Sequence, residues 1–278
     1  MSPGRNFHVH LVSDSTGETV SSVARACLVQ YEGIFVQEHV WSLVRTKGQM
    51  EKVMIEVERN RGPVLYTLVD PELRDCVRDH CRKLQLPCVG VLDQVMSVLA
   101  VHFHSKSEQW PGRQHQLDEG YFDRIDAMHY TLAHDDGQST HDLDDADVIL
   151  VGPSRTSKTP TCVYLANRGV RAANVPLVPA VPPPAELEAA KRPLVVGLIT
   201  DPERLMQIRV NRLRLLQQET ETEYTDIDTI QREIQEARRL YARRKWATID
   251  VTRRSIEETA AAILQMLAVR REQRMQAQ

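Results

Sequence analysis

The residues best suited to chemistry are a glycine, a lysine and a threonine at the spacing of a phosphate-binding loop. Gly152 ends a short apolar run, and Lys158 and Thr159 follow where the pattern G-x-x-x-x-G-K-[ST] places its lysine and hydroxyl residue. Ser157 replaces the second glycine of that pattern and keeps the Cβ small. In such loops, backbone N–H groups and a helix N-terminus bind phosphate, the lysine neutralises terminal phosphates, and the hydroxyl binds Mg²⁺. The segment therefore predicts a polyphosphate site.

Every residue of this loop is a candidate for nucleotide contact. The predicted nucleotide-binding residues are Gly152, Pro153, Ser154, Arg155, Thr156, Ser157, Lys158 and Thr159. Lys158 is also a catalytic candidate, because a cation here stabilises charge on a transferred phosphoryl group. Thr159 is the candidate metal ligand. The alternative is an ordinary strand-to-helix turn with an exposed lysine and threonine, since incomplete matches to this pattern arise by chance.

Strands that alternate with helices on both sides of the loop predict an α/β protein. Apolar spacing places N-terminal strands near residues 7–13, 34–41, 64–69 and 88–92, and helices near 19–30, 49–60 and 71–84. Beyond the loop we expect strands at 173–178, 194–200 and 247–251, and helices at 159–168, 202–216 and 228–245. Helix N-caps are predicted at Asp70 and Asp201, each followed by proline. Capping boxes are predicted at Asp228 with Gln231, and at Ser255 with Glu258 before the last helix.

The same order of elements predicts two domains and a connection. Residues 1–104 are expected to form an N-terminal, mostly parallel α/β domain, and residues 147–278 a P-loop kinase-like α/β domain. Residues 105–120 are polar, and a helix is expected at 121–133. Residues 105–146 are thus predicted to connect the domains and to carry the sequence H-D-D-G at 134–137.

The composition disfavours several classes of function. A net charge of −3 and a pI near 6.4 argue against binding to nucleic acid or an anionic membrane. No apolar run reaches the roughly 18 to 20 residues that span a bilayer, and no signal-peptide core precedes the first strand. The five cysteines lack C-x-x-C spacing, which favours reduced thiols in a cytoplasmic protein.

The histidines do not predict a metal site. His8 and His10 share a strand face, as do His102 and His104 if that stretch is extended. No zinc-binding spacing accompanies either pair, so core or surface histidines are the better interpretation.

Further motifs surround the loop along nearly the whole chain. They are residues 13–19 (S-D-S-T-G-E-T), 133–138 (A-H-D-D-G-Q), 152–161 with 164–169 (Y-L-A-N-R-G), 201–205 (D-P-E-R-L) with Ile208 and Arg209, and 249–259 (I-D-V-T-R-R-S-I-E-E-T). Together and in this order they resemble the pyruvate, phosphate dikinase regulatory proteins. The run R-T-S-K-T at 155–159 is similar to the dikinase branch of that family, in which serine replaces the loop glycine.

The resemblance implies a bifunctional enzyme. One activity would use ADP, with Mg²⁺, to phosphorylate an active-site threonine of pyruvate, phosphate dikinase and so inactivate it. The other would remove that phosphate with inorganic phosphate and release pyrophosphate. The alternatives are the same activities on phosphoenolpyruvate synthase, a small-molecule P-loop kinase, and a nucleotide-sensing binding protein without chemistry. A homodimer is a further expectation, since α/β faces often pair about a two-fold axis.

Transfer to a threonine needs a base, and Asp136 is our candidate. It lies in the acidic turn Asp135-Asp136-Gly137, just upstream of the strand that leads into the loop. The alternative is that both aspartates only cap this turn.

Inorganic phosphate needs an additional cationic site. The candidates are Arg204, Arg209, Arg212, Arg238, Arg239, Arg243 and Arg244, and the alternative is a solvated, charged helix face. Residues 13–19 also follow a strand and precede a helix, so they are expected either to bind phosphate or the target peptide, or merely to cap a turn.

Overall fold

The chain forms two compact units, each built on a parallel sheet. The computed structural model describes residues 7–105, 108, 110–111, 119–179, 181–219 and 222–276. The units are Met1–Gln116 and Leu117–Gln278, so the segment predicted to connect two domains is divided between them. Each unit holds a four-stranded sheet of parallel strands, which confirms the predicted α/β class. No described helix is long and apolar enough to cross a membrane.

The first unit alternates strands and helices. Its elements are β1 (Phe7–Ser13), α1 (Glu18–Leu28), β2 (Val36–Trp41), α2 (Lys47–Arg59), β3 (Val64–Thr67), α3 (Pro71–Leu84), β4 (Cys88–Gly90) and α4 (Asp93–Phe103). The strand order is β2-β1-β3-β4. The main core lies where α2 and α3 cover the sheet, with Met50, Val53 and Val77 fully or almost fully buried.

The second unit repeats this strand order. Its elements are α5 (Glu119–Ala133), β5 (Val148–Gly152), α6 (Lys158–Ala166), β6 (Ala172–Pro176), α7 (Ala185–Ala189), β7 (Leu194–Ile199), α8 (Pro202–Leu215), α9 (Ile227–Arg244), β8 (Ala247–Asp250) and α10 (Ile256–Gln276). In the order β6-β5-β7-β8, the next strand along the chain after β5, β6, lies on one side of β5, and β7 lies on the other. The carboxyl ends of β5 and β7 therefore flank a crevice of the kind where open α/β sheets bind ligands.

The strand β5 is buried on both faces, which explains its unbroken apolar sequence. Val148 and Leu150 face α6 and α10 in one part of the core. Ile149 and Val151 face the opposite layer, which includes α9. The strand that leads into the loop is thus fixed from both sides.

Local capping sets where the helices begin. Asp70 and Asp201, each followed by proline, accept hydrogen bonds from backbone N–H groups in the first turns of α3 and α8, at 2.8 and 3.1 Å. The predicted box of Ser255 and Glu258 forms before α10, with reciprocal bonds of 2.8 and 3.1 Å. The box predicted at Asp228 with Gln231 is wrong. Asp226 caps α9 instead, because its carboxylate accepts from the Thr229 N–H at 2.8 Å.

The structure also shows where the histidines of the two predicted pairs lie. The stretch that contains His102 is the helix α4, so His102 and His104 do not share a strand face. His10 is buried in β1, where its Nδ1 accepts from Trp41 Nε1 at 3.2 Å. Its Nε2 therefore carries the proton and donates to the Asn60 carbonyl at 2.7 Å. Both ring nitrogens of His10 are occupied by structural bonds.

Tyr241 connects α9 to the sheet by hydrogen bonds and close packing. Its hydroxyl lies 3.2 Å from the carbonyl oxygens of both Val151 and Leu198. The ring lies so close to β7 that a Cβ on Gly197 would be 2.4 Å from Tyr241 Cε2. Only glycine at position 197 permits this contact.

We predict that Gly197→Ala lowers the free energy of unfolding by about 1–3 kcal/mol, because the new methyl group overpacks the ring of Tyr241. Urea titration followed by circular dichroism measures the change. Gly48→Ala is the matched control, since a Cβ there meets nothing within 4 Å in α2 and alanine favours the helix. An unfolding midpoint of Gly197→Ala equal to that of the wild type would contradict the packing described.

Candidate functional site

Two residues in the left-handed conformation shape the loop after β5. Arg155 has a φ of 72° and Ser157 a φ of 62°. Ser157 is the N-cap of α6, and its carbonyl accepts bonds from the Thr161 N–H and hydroxyl at 3.2 and 2.7 Å. Glycine adopts such a φ freely, whereas other residues bear a cost of roughly 1–2 kcal/mol. Ser157 thus takes the backbone conformation that favours glycine in the usual pattern, at a cost in strain.

Gly152 is needed for a different reason, which is space. A Cβ at this position would lie 2.6 Å from the Leu198 carbonyl oxygen and 3.1 Å from Thr156 Oγ1. The loop therefore starts between β5 and β7 at a point where no side chain fits.

Lys158 is buried beneath the loop. Its side chain is only 5% exposed, and Nζ donates to the Pro153 carbonyl at 2.9 Å. Thr156 Oγ1 donates to the same carbonyl at 2.9 Å. Burial lowers the pKa of Lys158 to about 8, although nearby Asp136 and Asp135 act in the opposite direction. The loop thus holds a poorly solvated cation next to two acidic residues.

Asp135 joins the loop through Thr159. Thr159 Oγ1 donates to Asp135 Oδ1 at 2.9 Å. Asn174, at the middle of β6, donates through Nδ2 to Asp135 Oδ1 at 2.7 Å and to Thr159 Oγ1 at 3.0 Å. Asn174 is buried, so it fixes the positions of both oxygen atoms.

Thr159 and Asp135 are the side chains of the cleft that would hold Mg²⁺, an ion that prefers hard oxygen ligands. Thr159 Oγ1 and Asp135 Oδ1 are joined by their hydrogen bond of 2.9 Å, and Asn174 Nδ2 bonds both atoms. Thr159 was predicted as a metal ligand from its place in the loop. Asp135 was not, because nothing local in the sequence distinguishes it from Asp136.

Asp136 lies in a short 3-10 turn, Asp135–Gly137, with a left-handed backbone of φ 53° and ψ 32°. It lines one cleft of about 330 Å³ together with loop residues Ser154, Arg155, Ser157, Lys158 and Thr159. The structure therefore brings the candidate base to the predicted loop. Gly152, Pro153 and Thr156, the remaining predicted loop residues, are buried under it.

His134 holds the acidic turn in place. Its ring stacks on that of Tyr130 with centroids 3.8 Å apart, and Nδ1 bonds the Tyr130 carbonyl at 2.7 Å. Nε2 lies 2.6 Å from Asp142 Oδ1, and the hydrogen bond from His134 lowers the pKa of that carboxyl. The His134 carbonyl accepts from the Asn174 N–H at 2.9 Å. These contacts tie the end of α5 to β6, and sequence reasoning missed them.

The predicted arginine clusters lie outside the cleft. Arg209 is buried, but both terminal nitrogens bond the Glu233 carboxylate, at 3.2 and 2.7 Å. It also lies over the Tyr224 ring and reaches the Ser154 carbonyl at 3.4 Å, so it supports the loop from below. The other candidates are exposed and do not line the cleft; they are Arg204, Arg212, Arg238, Arg239, Arg243 and Arg244. Arg155, a loop residue, is the arginine that lines it.

Residues 13–19 form the corresponding turn of the first unit. Asp14 is buried, and its Oδ2 accepts from the Val69 N–H at 2.6 Å. Burial raises the pKa of this carboxyl. Ser13 Oγ accepts from the Ser15 N–H and the Thr67 hydroxyl, both at 3.1 Å. These bonds connect β1 to β3 and account for a capped turn.

A parallel sheet, a lysine-bearing phosphate loop at its switch point and two aspartates beside that loop define a phosphotransferase of the phosphate-loop class. The chain belongs to the kinase/pyrophosphorylase family, whose model matches residues 9–264.

The similarity to individual relatives extends over almost the whole chain. A protein of Rhodospirillum rubrum is 55% identical over 263 residues, which cover 95% of this chain and 96% of the relative. One of Paramagnetospirillum magneticum is 56% identical, covering 94% and 84%, and one of Bradyrhizobium diazoefficiens is 49% identical, covering 96% of each chain. All three are provisionally named pyruvate, phosphate dikinase regulatory proteins.

We predict that Lys158→Met raises the free energy of unfolding at pH 7 by about 1–3 kcal/mol. The folded-state pKa of about 8 lies below the unfolded value of 10.5, so at pH 7 folding keeps a buried charge that water would solvate better. The gain should shrink to under about 1 kcal/mol at pH 10, because the folded-state amine is then neutral and the buried charge is gone, while most of the unfolded chain still carries the proton.

Urea titrations at pH 7 and pH 10 measure this difference. Lys191→Met is the control, since Lys191 is exposed and its replacement should change stability by less than about 0.5 kcal/mol. A destabilised Lys158→Met at pH 7 would show that Lys158 contributes favourably to folding.

Proposed function

We propose that this chain phosphorylates a threonine of pyruvate, phosphate dikinase with ADP, and that it also removes this phosphate with inorganic phosphate. The observation that carries the proposal is the cleft in which Lys158, Thr159, Asp135 and Asp136 meet. The names of the relatives supply the protein partner. Family membership supplies the pairing of a kinase with a pyrophosphorylase.

In the phosphorylation of threonine by ADP, the residues of the loop and of the acidic turn have different roles. Lys158 and the N-terminus of α6 bind the β-phosphate of ADP and stabilise the charge that develops on it. Thr159 and Asp135 would hold Mg²⁺, which would supply positive charge beside the phosphate oxygens. Asp136 accepts the proton of the threonine hydroxyl while the threonine oxygen bonds to the β-phosphorus of ADP, and AMP leaves.

The reverse reaction needs a second anion in the same cleft. Inorganic phosphate attacks the phosphothreonine phosphorus and the bond from phosphorus to the threonine oxygen breaks. The threonine oxygen takes the proton that the attacking phosphate gives up, and pyrophosphate is released. Arg155 is our candidate for binding that phosphate, because it lines the cleft whereas the predicted clusters on α8 and α9 do not. Its guanidinium can bind two phosphate oxygens at once.

The direct test is incubation of the purified protein with ADP labelled in the β-phosphate, Mg²⁺ and either the dikinase or phosphoenolpyruvate synthase. We expect label on a dikinase threonine, detected by peptide mass spectrometry, and its release as pyrophosphate when inorganic phosphate is added. Lys158→Ala should abolish both reactions while circular dichroism stays unchanged. Label on phosphoenolpyruvate synthase alone, or on a small molecule, would contradict the proposed target. ADP binding without transfer would contradict an enzymatic role.

The two aspartates should give different kinetic defects. Asp136→Asn is expected to lower kcat at least about 100-fold with an unchanged Kd for ADP, because the base acts only in the chemical step. Asp135→Asn should raise the Mg²⁺ concentration for half-maximal rate about 10- to 100-fold. Initial rates over a Mg²⁺ series separate the two. Identical Mg²⁺ dependence in wild type and Asp135→Asn would remove Asp135 from the metal site.

A further inference from the structure

A second hollow of the second unit adjoins the cleft and has a different chemistry. It is a groove of about 410 Å³ between the proline-rich segment after β6 and the helix α9, with Pro153 of the phosphate loop among its lining residues. Its walls are mainly aliphatic, from residues such as Leu177, Val178, Ala237 and Leu240. Its volume lies within the roughly 300–1,000 Å³ typical of ligand sites.

The groove lies beside the start of the phosphate loop. Pro153 lines the groove, and the next residue, Ser154, lines the cleft. Leu177 donates its N–H to the Gly152 carbonyl at 3.0 Å. Pro176, just before it, packs so close to the acidic turn that a Cβ on Gly137 would lie 3.3 Å from Pro176 Cδ. A chain lying in the groove thus passes beside the start of the phosphate loop.

The hydrogen-bonding groups of the groove argue against a nucleoside. The prolines in its wall have no N–H to offer, and the Leu177 N–H is already used. Both oxygens of Glu233 are bonded by Arg209. The apolar wall therefore favours an aliphatic or aromatic side chain, which needs no partner, over a purine, whose ring nitrogens would lie unpaired against that wall.

The edges of the groove suit a polypeptide. Val178 and Val181 stand 53% and 60% exposed beside it, so they leave apolar surface for an incoming side chain to cover. Glu236 and Arg243 are exposed residues of α9 on the opposite side, where they can bond peptide groups of a bound chain.

We propose that this groove binds the segment of the protein substrate that carries the acceptor threonine, by seating an apolar side chain that neighbours this threonine. The inference rests on the proposed function and adds where the protein substrate is recognised. It separates the two ligands: ADP is held by the phosphate loop, and the protein is held by the proline-rich segment and α9.

The test compares the rates at which wild type and the variants Val178→Asp and Val181→Asp phosphorylate intact dikinase. The KM for dikinase should rise at least tenfold in each variant. The kcat, and the Kd for ADP measured by calorimetry, should stay within twofold of wild type. Val181→Leu keeps the wall apolar and should keep the wild-type KM. Val269→Asp is the matched control, because Val269 is 52% exposed on α10 and does not line the groove.

Three outcomes would overturn the inference. A KM for dikinase within twofold of wild type in both aspartate variants shows that the protein binds elsewhere. A tenfold weaker Kd for ADP shows that the groove holds the nucleoside. If the wild-type protein transfers no phosphate to dikinase, the proposed function is wrong and this inference fails with it. This outcome is distinguishable from the other two because it appears before any residue is substituted.

Discussion

The burial of the Lys158 ammonium under its own loop is the constraint on which the site depends. A cation removed from water is destabilising unless oxygen atoms surround it. Here the Pro153 carbonyl supplies one contact, and the acidic turn supplies opposite charge without a direct bond. A bound phosphate would supply negative charge beside the ammonium, so the same burial that lowers the stability of the fold would strengthen the interaction with a phosphoryl group. The buried charge of Lys158 thus lowers the stability of the fold and favours phosphate binding.

The rest of the second unit keeps these groups in position. The strand β5 is packed on both faces, and Tyr241 bonds it to α9, so the loop starts from a fixed point. The buried Arg209–Glu233 pair supports the loop at Ser154. On the other side, His134 and Asn174 connect α5 and β6 and place the acidic turn next to Thr159. The lysine and the carboxylates come from separate elements, and the sheet sets the spacing between them.

The sequence predicts what is encoded locally. The strand β5, the loop and the start of α6 follow from a contiguous pattern, and the caps at Asp70 and Asp201 follow from single dipeptides. Features that need distant partners escaped prediction. Asp135 is distinguished from Asp136 by its bonds to Thr159 and Asn174, which are 24 and 39 residues away. The buried state of Arg209 depends on Glu233, 24 residues away. The cap of α9 was misplaced because Asp226 and Asp228 are equally suitable by residue type. Only tertiary packing chooses between such candidates.

In the proposed mechanism one loop would bind the diphosphate, and Thr159 and Asp135 together would hold its metal ion. A crystal structure of the protein with ADP and Mn²⁺, with anomalous data to locate the metal, tests this claim most directly. The β-phosphate should lie over the N-terminus of α6 within hydrogen-bond distance of Lys158 Nζ. The metal should bond Thr159 Oγ1 and an oxygen of Asp135 at about 2.0–2.3 Å. A diphosphate bound away from residues 152–159, or a metal that touches neither side chain, would contradict the account.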